Sequence, residues 1–479
     1  MSRHSPFVTI AFPALLASLG AQTATNCELL SRTTRPGTTG YSGIWGYHDP
    51  LTGRELALMC LREGTWVVDA TDPRQPVERG FFPGPVTTFN REVTTFRQFA
   101  YVITEGGGGM QIIDLRNPLA PVLANTVTLP GWNNTHTIAA DHAAGTLWCS
   151  GTPLGLLVFD VATDPLNPRL LLTWTTRYVH DTYPKNGLAW LSLVVDGELW
   201  LADTRSLPNL PILTRLPTPG ARTHTAWTDS TDSLMLVSAD VLNGPLQLYD
   251  VTNRVVPRPL GSYVVAGQDI HTHILADDKI SHIGCIGGDY RAVDVSDPNA
   301  PAEFASYNGI ASWSAYPFQP SGVIYVSDIN PSATGGGLLC LRLTCGAPER
   351  YGAGTAGSGG HVPDADWTGN VARVGNGGFR FVGKRLLGGS SAWLVLGTSS
   401  AAADAFGIKL LVNPAPPFLA VAARASGTNP GEGTATVAAP IPNDPALAGL
   451  TVFTQWIVAD AGGPQGLAAS GGRKITICP

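Results

Sequence analysis

The sequence predicts an all-β chain, a seven-bladed β-propeller of repeats about 45 residues long followed by a small β-sandwich. Three observations carry that expectation. First, a short β-branched run that ends in Asp recurs with Asp69, Asp114, Asp160, Asp203, Asp250 and Asp294 as its markers, at steps of 45, 46, 43, 47 and 44 residues. Second, each repeat divides into four short strand-like runs with turn residues between them, which is the pattern of a propeller blade. Third, only 14% of residues are charged while Gly (55) and Pro (38) are plentiful, a mix that suits short strands joined by tight turns.

Residues 1–24 read as a secretory signal. Arg3 and His4 give a polar start, Phe7 to Leu19 form a short apolar run, and the small residues Gly20, Ala21 and Ala24 follow. The apolar run is too short to span a bilayer comfortably, and no other segment is a candidate, so an integral membrane protein is not expected.

Residues 25–344 hold the repeats. In the second, Glu92–Phe96 alternates, Phe99–Thr104 is a buried-type run, Met110–Leu115 follows a Gly106–Gly109 turn, and Asn117-Pro118 leads into Val122–Val127. The Asp-Pro-x-x-Pro turn after Asp69 has a mechanism: Pro fixes φ and the preceding Asp accepts from free turn N–H groups. A seventh unit lacks the marker Asp but has Trp313–Pro317, Val323–Asp328 and Leu338–Leu343 as strands. Cys27–Thr33 is free to complete it as an outer strand and so close the ring.

Beyond Cys345 the composition changes. Residues 345–360 are Gly-rich and read as a linker. Residues 361–479 carry short apolar runs at 379–382, 392–397, 451–458 and 474–478, the expected sandwich. Of seven cysteines, Cys60, Cys149 and Cys285 fall inside apolar runs of separate repeats and read as buried thiols. Cys27 with Cys340 or Cys345 is the favoured disulfide, tying the first strand to the last repeat.

Several stretches carry a family resemblance: Asn26-Cys27-Glu28-Leu29-Leu30-Ser31, Ile44-Trp45-Gly46-Tyr47, Asp49–Glu55, Val179-His180-Asp181 and Trp313-Ser314-Ala315-Tyr316-Pro317. The repeat is similar to the LVIVD repeat, and the whole run resembles the choice-of-anchor B family of exported bacterial proteins. That resemblance implies a propeller outside the cytoplasm with a variable C-terminal attachment module, and no established activity. The fourth repeat departs from the pattern, with Ser206-Leu207-Pro208-Asn209-Leu210-Pro211 in place of the Asp-Pro turn. Tyr351-Gly352-Ala353-Gly354, Ile441-Pro442-Asn443 and Gln455-Trp456 resemble a C-terminal domain of many exported bacterial proteins, which implies attachment or display. Thr355 stands where that domain carries a Cys.

Histidine gives the candidate site. His136, His180 and His224 are 44 residues apart, in step with the repeat, and His271 and His273 follow in the sixth. First strands of propeller blades line the central channel, so this register gathers imidazoles around one axis. Trp45, Arg91 and Trp313 take the equivalent positions elsewhere, with Asp181 beside His180. The expected binding set is therefore His136, His180, Asp181, His224, His271, His273, Arg91 and Trp313. Neutral imidazoles at His136, His180, His224 and His271 could hold a divalent metal, Zn²⁺ or Ca²⁺. Loop aromatics (Tyr47, Trp132, Tyr183, Trp227, Tyr263, Tyr290) could add a binding face.

A net charge of −6 offers no basic surface for nucleic acid. The marker Asp residues sit one per repeat and read as turn groups, not paired acids, and no nucleophile elbow or phosphate loop occurs. The expectation is a secreted or surface-displayed, monomeric, non-catalytic protein that binds a protein or glycan. The alternative is a metal-dependent propeller hydrolase or lyase with its site among the channel histidines.

Overall fold

The computed structural model describes residues 22–330 and 336–479. Most of the expected signal stretch lies outside the described residues; its last two residues, Thr23 and Ala24, pair together with Thr25 antiparallel to Ser306–Asn308. No helix among the described residues is long and apolar enough to cross a membrane.

The described residues within 27–343 form seven antiparallel sheets of four strands, laid in chain order in the first six, the sixth carrying Thr23–Thr25 as an extra strand. The inner strands of sheets 1 to 7 are Tyr41–His48, Arg91–Phe96, Thr137–Asp141, Asp181–Lys185, Thr223–Thr228, Asp269–Ala276 and Ser312–Tyr316. Each lies against the inner strand of the next sheet, and the seventh lies against the first. The sheets therefore close into a ring, the arrangement of a β-propeller. Strands covered on both faces, such as Glu55–Leu61 and Phe99–Thr104, are buried throughout, which is why they read as continuous apolar runs. Neighbouring sheets share their cores: Tyr101, Ile103 and Ile112 of sheet 2 pack with Leu147, Cys149 and Phe159 of sheet 3.

The N-terminal segment closes the ring. Cys27–Thr33 is the outer strand of sheet 7, with Cys27 opposite Leu343 and Thr33 opposite Leu338. The marker Asp residues act as turn groups. Asp69, Asp114, Asp160, Asp203, Asp250 and Asp294 each accept the backbone N–H two residues on, at 2.9–3.1 Å. The fourth sheet keeps all four strands despite its altered turn, and Asp203 still accepts from the Arg205 N–H.

Two expectations are corrected. The disulfide joins Cys345 to Cys478, not Cys27 to Cys340 or Cys345. Cys27 points at sheet 6, where its thiol donates to the Ser306 carbonyl at 3.0 Å, while Cys340 lies buried opposite Ser31. Cys60, Cys149 and Cys285 are buried free thiols. Nor are residues 345–360 a linker. Glu349–Tyr351 pairs with residues 472–474, and Thr355 bridges Ala469. The glycines there serve turns: Gly352, Gly359 and Gly360 have positive φ, which glycine adopts without a Cβ clash.

The C-terminal module has two main sheets. One runs Glu349–Tyr351, Gly472–Thr476, Thr451–Ala459, Ser391–Gly397, Phe418–Arg424; the other runs Asp364–Thr368, Arg380–Leu387, Pro430–Ala438. Both contribute to one core that includes Trp367, Phe381, Leu394, Trp456 and Ile475.

The face of the ring where inner strands begin is the upper face here. Turns after the inner and third strands of a sheet then lie on the lower face. There the module meets sheet 6. Lys279 reaches Asp366 at 2.5 Å and the Trp367 carbonyl, with its ammonium 4.0 Å from the Trp367 ring centroid. Asp294 accepts from the Val371 N–H at 2.7 Å, so the last marker Asp caps its own turn and also grips the module.

The cysteine assignment has a direct check. Denatured without reductant, the chain should take up five alkyl groups by intact mass, and seven after reduction. A count of seven without reduction would remove the Cys345–Cys478 bond.

Candidate functional site

At the upper face the ring turns a sequence period into a row of side chains. His136, His180, His224, His271 and Trp313 stand at or near the first residues of inner strands 3 to 7. Their rings touch in that order. Centroid separations are 4.2 Å from His136 to His180, 4.4 Å to His224, 4.5 Å to His271 and 4.5 Å to Trp313. Interplanar angles of 48–63° place edges against faces, the favoured aromatic arrangement.

A carboxyl group closes each end. Nδ1 of His136 lies 2.5 Å from Oε1 of Glu105, and Nε1 of Trp313 donates to Oε1 of Glu92 at 2.7 Å. Glu92 belongs to sheet 2 and Trp313 to sheet 7, so this bond passes over sheet 1. The inner strand of sheet 1 makes room with Gly43, where a Cβ would come within 2.8 Å of the Glu92 carboxylate.

Burial sets the charges. His180 is held well below the usual imidazole range by burial and then by His136 and His224; burial likewise takes His224 down to about 3. Burial also lowers His271, against the pull of Asp240. His136 goes the other way: burial disfavours its charge, but the hydrogen bond and charge of Glu105 raise it overall. Burial pushes Glu92 up to about 7 and Asp181 up to about 6, although Trp313 and the Thr182 N–H partly stabilise their charged forms. Near neutrality the row is thus three neutral imidazoles, one proton-prone imidazole paired with the Glu105 carboxylate, and one carboxyl, Glu92, poised between its two forms.

Of the expected site residues, His136, His180, His224, His271 and Trp313 come together, and Asp181 lies close enough to His136 to feel its charge. Three do not join. Arg91 turns away from the row: its Nε donates to the Leu61 carbonyl and one Nη to the Val86 carbonyl, both at 3.1 Å, in space left by Gly84. His273 points back into sheet 5, with Nε2 3.2 Å from the Leu236 carbonyl. Trp45 sits deeper, bonded to Thr95 and packed on Tyr316.

The metal expectation at His136, His180, His224 and His271 does not fit the geometry. A metal needs nitrogen lone pairs converging at about 2.1 Å. Here the rings face one another, and Nδ1 is already engaged by Glu105 in His136, by Thr225 in His224 and by the Trp313 carbonyl in His271. Among the described residues no three His, Cys, Asp or Glu side chains are grouped to hold a metal ion. The loop aromatics need correction as well, since Tyr47, Trp132 and Tyr290 are buried packing residues. Tyr183 and Trp227 instead continue a second aromatic row deeper in the ring, with Phe318, Tyr316 and Trp45.

Sequence reasoning missed Glu92 and Glu105. Glu92 was legible: it lies 44 residues before His136, the same step that separates His136 from His180. Glu105 is on the turn after the second strand of sheet 2, outside the register, and nothing in the sequence marks it.

No protein-family profile matches the chain, and no curated protein matches it. Among solved structures it is similar to a hypothetical selenium-binding protein from Sulfolobus tokodaii, at 11% identity and a TM-score of 0.46 over 58% of this chain and 84% of that one. It is also similar to the C-terminal WD40 domain of Sif2, at 10% identity and a TM-score of 0.46 over 66% of this chain and 98% of that one.

Glu92 gives a pH test. Its folded form keeps the proton up to about 7, whereas an unfolded Glu loses it near the usual carboxylate range of about 4.3. Between those values the folded chain binds more protons, so stability falls as pH rises through the window. Glu92→Gln should match the parent near pH 4 and exceed it at pH 8 by on the order of 3 kcal/mol in urea unfolding. A parallel fall in both proteins would place the Glu92 proton elsewhere.

Proposed function

We propose that this chain is an exported, non-catalytic binding or display protein of the LVIVD-repeat, choice-of-anchor B type. Its ligand, a protein or glycan, meets the upper face, and the C-terminal module serves attachment. The observation that carries this reading is the row His136–His180–His224–His271–Trp313 closed by Glu105 and Glu92. Neutral imidazoles at His180, His224 and His271, a His136–Glu105 pair whose charges offset each other and a Glu92 carboxyl raised to about 7 offer donors and acceptors with little net charge, which suits sugar hydroxyls or peptide amides. Tyr178, exposed beside His136 and Gly151, adds a ring on which an apolar sugar face can stack. Export rests on the apolar run Phe7–Leu19 and the small residues after it.

One observation favours a second reading, a propeller hydrolase or lyase. Glu92, with its carboxyl near 7 and His136 close by, has the properties of a general acid or base poised at neutral pH.

Glycan and peptide arrays probed with the wild type, Glu92→Gln and His180→Ala separate the two. The binding reading expects a ligand that is retained unchanged and bound about 10-fold or more weakly by His180→Ala, as loss of a buried polar contact requires. A ligand consumed by the wild type but only retained by Glu92→Gln would replace it with the second reading.

A further inference from the structure

A separate feature of the C-terminal module concerns a buried cation. Arg473 is 3% exposed. Its Nε donates to the Ala365 carbonyl at 2.6 Å and one Nη to the Pro348 carbonyl at 3.1 Å. The other, Nη2, is buried and has no hydrogen-bond partner. No carboxylate among the described residues lies within ion-pair distance of Arg473, whereas most buried guanidinium groups are paired, because an uncompensated buried charge is strongly unfavourable. Burial pulls its guanidinium down to about 10, helped by Arg350.

Arg473 lines a cavity of about 320 Å3 together with Arg350, Arg385, Asp364 and Gly-rich backbone. Arg350 is already paired with Asp364 at 2.6 Å. Arg385 is exposed and makes no ion pair among the described residues; a register shift between Gly383 and Leu386 leaves it without a partner on the neighbouring strand Pro430–Ala438. Three guanidinium groups against one carboxylate leave the cavity wall with a surplus of positive charge. Asp277 and Asp366 stand further off, and Asp366 is engaged by Lys279 and Lys384.

We propose that this cavity binds an oxyanion, which accepts from the free Nη2 of Arg473 inside and from Arg385 at the rim. Guanidinium groups recognise carboxylate, phosphate and sulfate through such donors, and the volume is that of a small-ligand site. The site lies in the module, away from the imidazole row, so its fate is independent of the ligand proposed for the ring.

The test is calorimetric titration of the full chain with inorganic phosphate, sulfate and acetate at constant ionic strength. Saturable binding of at least one is expected, weakened about 10-fold by Arg385→Ala, in line with the worth of a charged hydrogen bond. Arg473→Lys keeps the charge but removes the fork and should weaken binding similarly; if that variant fails to fold, Arg385→Ala decides alone. Oligogalacturonate compared with acetate at equal carboxylate concentration identifies the source. Tighter binding of the oligomer assigns a polymer-borne anion, and equal binding a free one. No binding of any of these anions, or binding unchanged in Arg385→Ala, overturns the proposal.

Discussion

The antiparallel pairing of Cys27–Thr33 with Gly337–Leu343 is the constraint on which the rest of the molecule depends. An open array of these sheets would leave an apolar face uncovered at each end and a bare strand edge on sheet 7. Closure removes both and fixes the position of sheet 7 against sheet 1. Only then can Trp313 reach across Gly43 to Glu92. The polar row at the upper face is a product of ring closure as much as of its own residues.

That row is electrically lopsided. At sheets 4 to 6 burial keeps the imidazoles neutral, and each ring is shielded by the next. At sheet 3 the same burial is overcome by one hydrogen-bonded carboxylate, so a proton is stabilised at that end alone. Glu92 and Asp181, which also feel the charge of His136, are pushed up by burial instead. Ring contacts, hydrogen bonds and desolvation thus divide a symmetric-looking repeat into chemically different positions. The marker Asp residues keep one task in common, since each satisfies a turn N–H, while their further partners differ, from Arg54 and Arg79 at Asp69 to the Val371 N–H at Asp294.

Much of this was legible in the sequence because a period is a geometric statement. Steps of about 45 residues fix the number of strands per repeat, and the register of His136, His180 and His224 fixes their level in the ring. What failed did so for local reasons. Reading Arg91 in place of Glu92 is a one-residue slip, and alternation in a strand sends neighbours to opposite sides. A β-bulge near the start of the inner strands of sheets 1, 5, 6 and 7 makes such slips easy. Cys345 and Cys478 lie 133 residues apart, and nothing local says that the two ends of the C-terminal module meet. The glycines of residues 345–360 carry the composition of a flexible tether yet occupy turns beside a paired strand.

The contact between Lys279, Asp294 and the C-terminal module lies on the lower face, across the thickness of the ring from the imidazole row. Anything gripped through the module is therefore on the far side from the opening. Were the module the point of attachment, as proposed, the imidazole row would face away from it, as the rim of a cup faces away from its base.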